Sequence, residues 1–219
     1  MKKKNLITAA VSLALVAVVS VGATLAYFTD KTETKKNVFS AGKVSINLID
    51  ETWDVNGQVK GEYYEKDGIT GIQYEDIMPG DVLSKVVGVE TAADSQDAYV
   101  AVRVTVTDVA APNATDIVLP EEIAAQISDI IAAEVDGTLW ASRDMGNGDV
   151  IYYFKSVVPA DTQNLVLFDK IPLPGSEWNN AYAELSFDVE VQAAAIQAAN
   201  TDLDLFMGMD WVDLVNLAD

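Results

Sequence analysis

Several runs of this chain alternate apolar and polar residues one by one, and that period limits the fold more than any other feature. Between Ala98 and Val109, Val100, Val102, Val104 and Val106 alternate with Arg103, Thr105 and Thr107. Between Ala183 and Ala193, Leu185, Phe187, Val189 and Val191 alternate with Glu184, Ser186, Asp188 and Glu190. Successive side chains of a strand point to opposite faces, so each run predicts a strand with one apolar side. Lys43 to Asp50 repeats the pattern, with Val44, Ile46 and Leu48 on one side and Ser45 and Asn47 on the other. Val82 to Glu90, Thr138 to Met145, Val150 to Val158 and Leu165 to Ile171 read as further strands.

Breakers separate these runs. Gly57, Gly61, Gly68 and Gly71 mark a loop or short hairpin. Met78-Pro79-Gly80-Asp81 predicts a type II turn, because Pro fixes φ and Gly supplies the positive φ that must follow. Gly146-Asn147-Gly148-Asp149 is a hairpin signal. One segment has helical spacing instead: Pro120 at a first helical position, Glu121 and Glu122 in the first turn, then Ile123, Ile127, Ile130 and Ile131, with Asp136-Gly137 as a stop. The pattern predicts an all-β chain, an antiparallel β-sandwich of jelly-roll type with one helix inserted in a loop. The tail, Asn200 to Asp219, sets Leu203, Phe206, Met209, Trp211, Leu214 and Leu217 among aspartates. It reads as a short amphipathic helix or an edge-covering segment packed on the sandwich.

The chain begins with Lys2, Lys3 and Lys4, followed by an uncharged run from Leu6 to Ala23. As a helix that run spans roughly 27 Å, close to the ~30 Å hydrocarbon core of a bilayer, so a cleaved export signal competes with a retained anchor. Thr24 and Ala26 place small residues at the third and first positions before a cut between Ala26 and Tyr27, which favours cleavage. The expected organisation is a signal peptide over 1–26, an arm over 27–42, the sandwich over 43–199 and the tail over 200–219. Removing residues 1–26, with three lysines and no acid, takes the net charge from −20 to −23. So acidic a body repels nucleic acid and anionic lipid, leaving membrane contact to the uncleaved precursor. The chain has no Cys, and a domain of this size buries a core without disulfides.

Four short segments carry a family resemblance. Ala26-Tyr27-Phe28-Thr29-Asp30, followed by Phe39-Ser40-Ala41-Gly42-Lys43-Val44, resembles the signal end and first-strand approach of the TasA/camelysin family of secreted bacterial matrix proteins. Pro79-Gly80-Asp81 resembles that family's turn before the second strand, and Val189 to Gln197 the end of its last strand. The resemblance implies a precursor cut by the SipW-like signal peptidase of Gram-positive bacteria and a jelly-roll body. It also implies secretion to the cell surface or biofilm matrix and head-to-tail fibres of one protein, alone or with other matrix components. In such fibres the N-terminal arm of one subunit pairs with the sheet of the next.

Physical chemistry makes such an arm reasonable. A sandwich leaves sheet edges with unpaired N–H and C=O groups, and an extended segment can add itself there as a strand. Contacts of this head-to-tail kind do not close and so propagate. Tyr27 to Ala41 offers Tyr27, Phe28, Val38 and Phe39 as anchors, and Lys31, Lys35 and Lys36 as a cationic patch toward an acidic neighbour. A solvated lead-in is the competing reading of the same residues.

Signals for catalysis are sparse. The resemblance includes proteins classed as metallopeptidases, but zinc proteases and Ser-His-Asp enzymes both need histidine, and the chain has none. The expectation is a protein that is not an enzyme and holds no cofactor. Calcium is the ion its loops suit best, through Asp94-Ser95-Gln96-Asp97, Asp144 to Asp149 and Asp202-Leu203-Asp204, but none has EF-hand spacing and weak binding is the most they support. Trp53, Trp140, Trp178 and Trp211 are core residues or a sugar-stacking platform, the latter making the chain a monomeric surface binding module. Tyr152-Tyr153-Phe154 must occupy both faces of a strand, which puts at least one ring outward or in an interface.

Overall fold

The computed structural model describes residues 43–66, 69–110, 120–175, 178, 182 and 185–218. Two sheets pack face to face. In the first, β5 (Val82–Thr91) is flanked antiparallel by β1 (Ile46–Glu51) and β9 (Leu165–Pro172), and β2 (Val59–Lys60) runs parallel beside Leu83 and Ser84. The second sheet has the antiparallel order β10-β6-β8-β7, from Ser186–Gln197, Ala98–Ala110, Asp149–Phe154 and Trp140–Gly146. A separate ribbon pairs β3 (Glu62–Lys66) with β4 (Ile69–Gln73). The glycine-punctuated stretch therefore folds as a short hairpin, one of its two predicted forms.

The core lies where period two puts it. Val100, Val102, Val104 and Val106 of β6 are buried against Leu83, Val87 and Val89 of β5 and Leu167, Phe168 and Ile171 of β9. Helix α1 (Pro120–Glu134) packs on β6 and β9 through Ile123, Ile127 and Ile131, all fully buried. Each such side chain contributes about 1.5–3 kcal/mol relative to exposure, ample to hold a helix inside an otherwise β molecule. Glu121 and Glu122 sit in its first turn, as the helix dipole favours.

Turns match their chemistry. Asp81 N–H donates to the Met78 carbonyl at 3.0 Å with Gly80 at φ +91°, the geometry expected of Pro79-Gly80. Asn147 and Gly148, both at positive φ, join β7 to β8 as the hairpin signal requires. Gly148 also sits close to α1: a Cβ there would lie 3.1 Å from the Ala124 carbonyl oxygen, a tight contact.

Two sequence expectations are corrected. Leu48 is 39% exposed while Ile49, on the opposite side of β1, is 8% exposed. Ile49 stands opposite Gly88 of β5, where the backbone of β9 comes so close that a Cβ would lie 2.6 Å from the Leu165 carbonyl oxygen, so the buried side of β1 is set by its pairing with β5. The run Val150–Val158 is not one strand: β8 ends at Phe154, and Val158 forms a lone bridge to Ala98. Beyond β10 the tail folds into α2 (Leu203–Gly208) and α3 (Trp211–Ala218), which lie on the outer face of the second sheet.

Candidate functional site

Among the described residues β1, β2 and β9 pair only with β5, β7 only with β8, and β10 only with β6. Each of these strands carries an ionic residue: Asp50 and Glu51 in β1, Lys60 in β2, Arg143 and Asp144 in β7, Asp169 and Lys170 in β9, Asp188 and Glu190 in β10. Charges on an edge discourage indiscriminate pairing. The ribbon differs in exposure: Glu62, Tyr63, Tyr64 and Glu65 of β3 are all solvent-exposed, while Ile72 of β4 is half-buried. Gly61 N–H donates to Thr52 Oγ1 at 3.0 Å and the Tyr74 hydroxyl to the Ser84 carbonyl at 2.5 Å, which root the ribbon in the body. Burial pushes the Tyr74 hydroxyl up to about 12.

The second site is the outer face of the β10-β6-β8-β7 sheet. Ala101, Ile151, Tyr153, Ala194 and Ile196 form a buried cluster there with Phe206, Trp211 and Leu214 of the tail. Phe206 stacks on Tyr99 and meets Tyr153 edge-on. The chain has two arginines, and both hold this tail. Arg143 donates to the Met207 and Met209 carbonyls at the C-terminal end of α2, where helical carbonyls lack partners, and its guanidinium lies 5.3 Å from the Tyr153 ring centre. Arg103 grips Asp149 with two bonds of 2.8 and 2.6 Å, which raises its already high pKa, and sits 5.9 Å from the Trp211 ring centre. The Trp211 indole N–H donates to Gln192 Oε1 at 3.1 Å.

Tyr152-Tyr153-Phe154 does occupy both faces, but Tyr153 is buried beneath the chain's own tail. Three of the tryptophans, Trp140, Trp178 and Trp211, are buried, while Trp53 is half exposed with its indole N–H donating to Glu51 Oε2 at 2.8 Å. Tyr63 beside it places its hydroxyl 3.4 Å from the Thr52 amide.

The loop carboxylates named for calcium have structural duties. Asp94 pairs with Lys43 at 3.0 Å, which holds its carboxyl below the usual range, and Asp97 accepts from Ala160 N–H. Asp144 accepts from Gly146 N–H, Asp149 binds Arg103, and Asp202 caps α2 by accepting from Leu205 N–H at 2.8 Å. Among the described residues no three carboxylates gather as a metal site.

The cleavage pair Ala26 and Tyr27, and the arm residues Tyr27, Phe28, Lys31, Lys35, Lys36, Val38 and Phe39, lie outside the described residues, as does the run Leu6 to Ala23. No described helix is long and apolar enough to cross a membrane. Sequence reasoning put Arg103 on the polar side of its strand but gave neither arginine a role, although their rarity was a signal, and gave the ribbon none. No family model, curated protein or solved structure matches the chain.

Proposed function

We propose that this chain is a secreted, non-enzymatic structural protein of the bacterial extracellular matrix. Its subunits join head to tail, the arm Tyr27–Ala41 of one pairing as a strand with a sheet of the next. The observation that supports this reading is a sandwich with strands paired on one side only among the described residues, in a chain whose arm carries lysines and whose body is strongly acidic. The resemblance of residues 26–44 to the TasA/camelysin family points the same way. Export by a SipW-like signal peptidase would free Tyr27. The processed chain should form fibres by electron microscopy. Deleting Tyr27 to Ala41 should leave a folded monomer, and fibres of normal length from that variant refute the mechanism.

A second reading, a surface module for neutral polysaccharide, is favoured by Trp53 and by Tyr63, which is 63% exposed. Fixed aromatic faces beside carboxylates suit sugar rings, and the net charge disfavours polyanions. Retention of a monomeric processed chain on a glycan array, lost in Trp53→Ala, would select this reading instead.

A further inference from the structure

We infer that the unpaired edge of β4, in the β3–β4 ribbon, is the acceptor that takes the arm of a second copy; this rests on the strand-donation reading above. Every other described strand with an unpaired side carries charge, whereas β4 reads Ile69-Thr70-Gly71-Ile72-Gln73, with neither an ionic residue nor a proline. Natural sheets protect their edges with such residues, so an edge without them is either covered or meant to be paired. A two-stranded ribbon is also marginal by itself; a third strand or packing on a body supplies its stability. Among the described residues this ribbon is tied to the body through Gly61, Tyr63 and Tyr74, and the side chains of Glu62 to Glu65 are exposed on both faces.

Charge selects the occupant. Residues 62–76 contain Glu62, Glu65, Asp67, Glu75 and Asp76 against one lysine, Lys66, so a second ribbon laid on this one would meet like charge. Thr34 to Ala41 carries Lys35 and Lys36 and no acid. As a strand those eight residues reach about 26 Å, more than the about 17 Å of β4, so the segment spans the edge. Val38 and Phe39, being consecutive, would fall on opposite faces of the extended ribbon. One of those faces carries the Tyr64 ring, which lies over Gly71 closely enough that a Cβ there would sit 2.9 Å from it. An incoming apolar side chain would therefore meet an aromatic surface already in place.

The absence of cysteine makes the test clean. Processed chains carrying Asn37→Cys are mixed with chains carrying Thr70→Cys, or with chains carrying Asp188→Cys on β10, under mild oxidation. The expected result is an intermolecular disulfide to position 70 and none to position 188. In parallel, Thr70→Lys places a charge at an exposed edge position; it should keep the wild-type circular dichroism spectrum and lose fibres. Fibres of wild-type length from folded Thr70→Lys, or cross-linking to 188 in place of 70, overturn the β4 assignment alone. Should Thr70→Lys fail to fold, the cross-linking result decides. A wild-type chain that forms neither fibres nor dimers overturns the strand-donation reading, and the acceptor with it.

Discussion

The two faces of the β10-β6-β8-β7 sheet are built from the same strands yet covered by different means. The inner face carries the valines Val100 to Val106 of β6 beside Tyr152 and Trp140, and meets the opposing sheet and α1. The outer face changes character along β10: Ser186, Asp188 and Glu190 are exposed, whereas Ala194 and Ile196 are buried under α2 and α3. Gln192 and Arg103, at the boundary, both engage Trp211. Burial on the inner face is a property of the domain as a whole. Burial on the outer face depends on a tail of two short helices, fastened by a ring cluster and two guanidinium groups.

The largest effects should separate these two modes of burial. Phe168→Ala removes a fully buried ring of β9 from the inner core and should cost about 3–5 kcal/mol of global stability, read as one cooperative shift in denaturant midpoint. Phe206→Ala deletes the ring at the centre of the outer cluster, a truncation of the same about 3–5 kcal/mol class. Its expected readout differs: hydrogen exchange should quicken across 203–218 while the protection of β5 and β6 stays near wild type. Equal loss of protection in β5 and β6 would mean that the tail is an integral part of the core and that the contrast is false.

A smaller effect sharpens the same contrast. Arg143→Met keeps a long apolar stem over Tyr153 but removes the donors to the Met207 and Met209 carbonyls. Hydrogen bonds from a charged donor contribute about 1.5–3 kcal/mol, so the tail should undock measurably, seen as faster proteolysis after β10. Unchanged proteolysis would assign the docking to Phe206 and Trp211 alone.

These differences also explain what was legible in the sequence. Period two located β6, β10 and the inner valines because one continuous apolar surface covers that face. The helix and both turns were legible because Pro120, Pro79-Gly80 and Asn147-Gly148 have local chemistry that acts without tertiary help. Ile49 was missed because its burial depends on how β1 pairs with β5, a strand distant in sequence. At least one ring of Tyr152-Tyr153-Phe154 was expected outward or in an interface, but nothing local to β8 announces that residues more than fifty positions later will cover Tyr153. Which strands lie at sheet edges, β4 among them, was not legible, because strand order depends on pairing between distant segments.

The smallest effect compares Tyr152 and Tyr153, neighbours buried on opposite faces. Tyr153 lies under Arg143 and places its hydroxyl 3.4 Å from the Met209 carbonyl, whereas the buried Tyr152 hydroxyl has no hydrogen-bond partner among the described residues. Taking a hydroxyl out of water without a partner is unfavourable, so Tyr152→Phe should stabilise the fold by about 1 kcal/mol. The same variant changes the alkaline limb. Burial, with Asp129 and Asp144 adding repulsion, pushes Tyr152 up to about 12 from its ordinary 10. Between pH 10 and about 12 the unfolded chain therefore gives up a proton that the folded chain retains, and stability falls as pH rises through that window. Tyr74, also raised to about 12, adds to the fall and remains in the variant. Denaturant midpoints for Tyr152→Phe should thus lie above wild type at neutral pH and decline less steeply between pH 10 and 12; a parallel decline would show that the Tyr152 hydroxyl does not stay protonated in the fold.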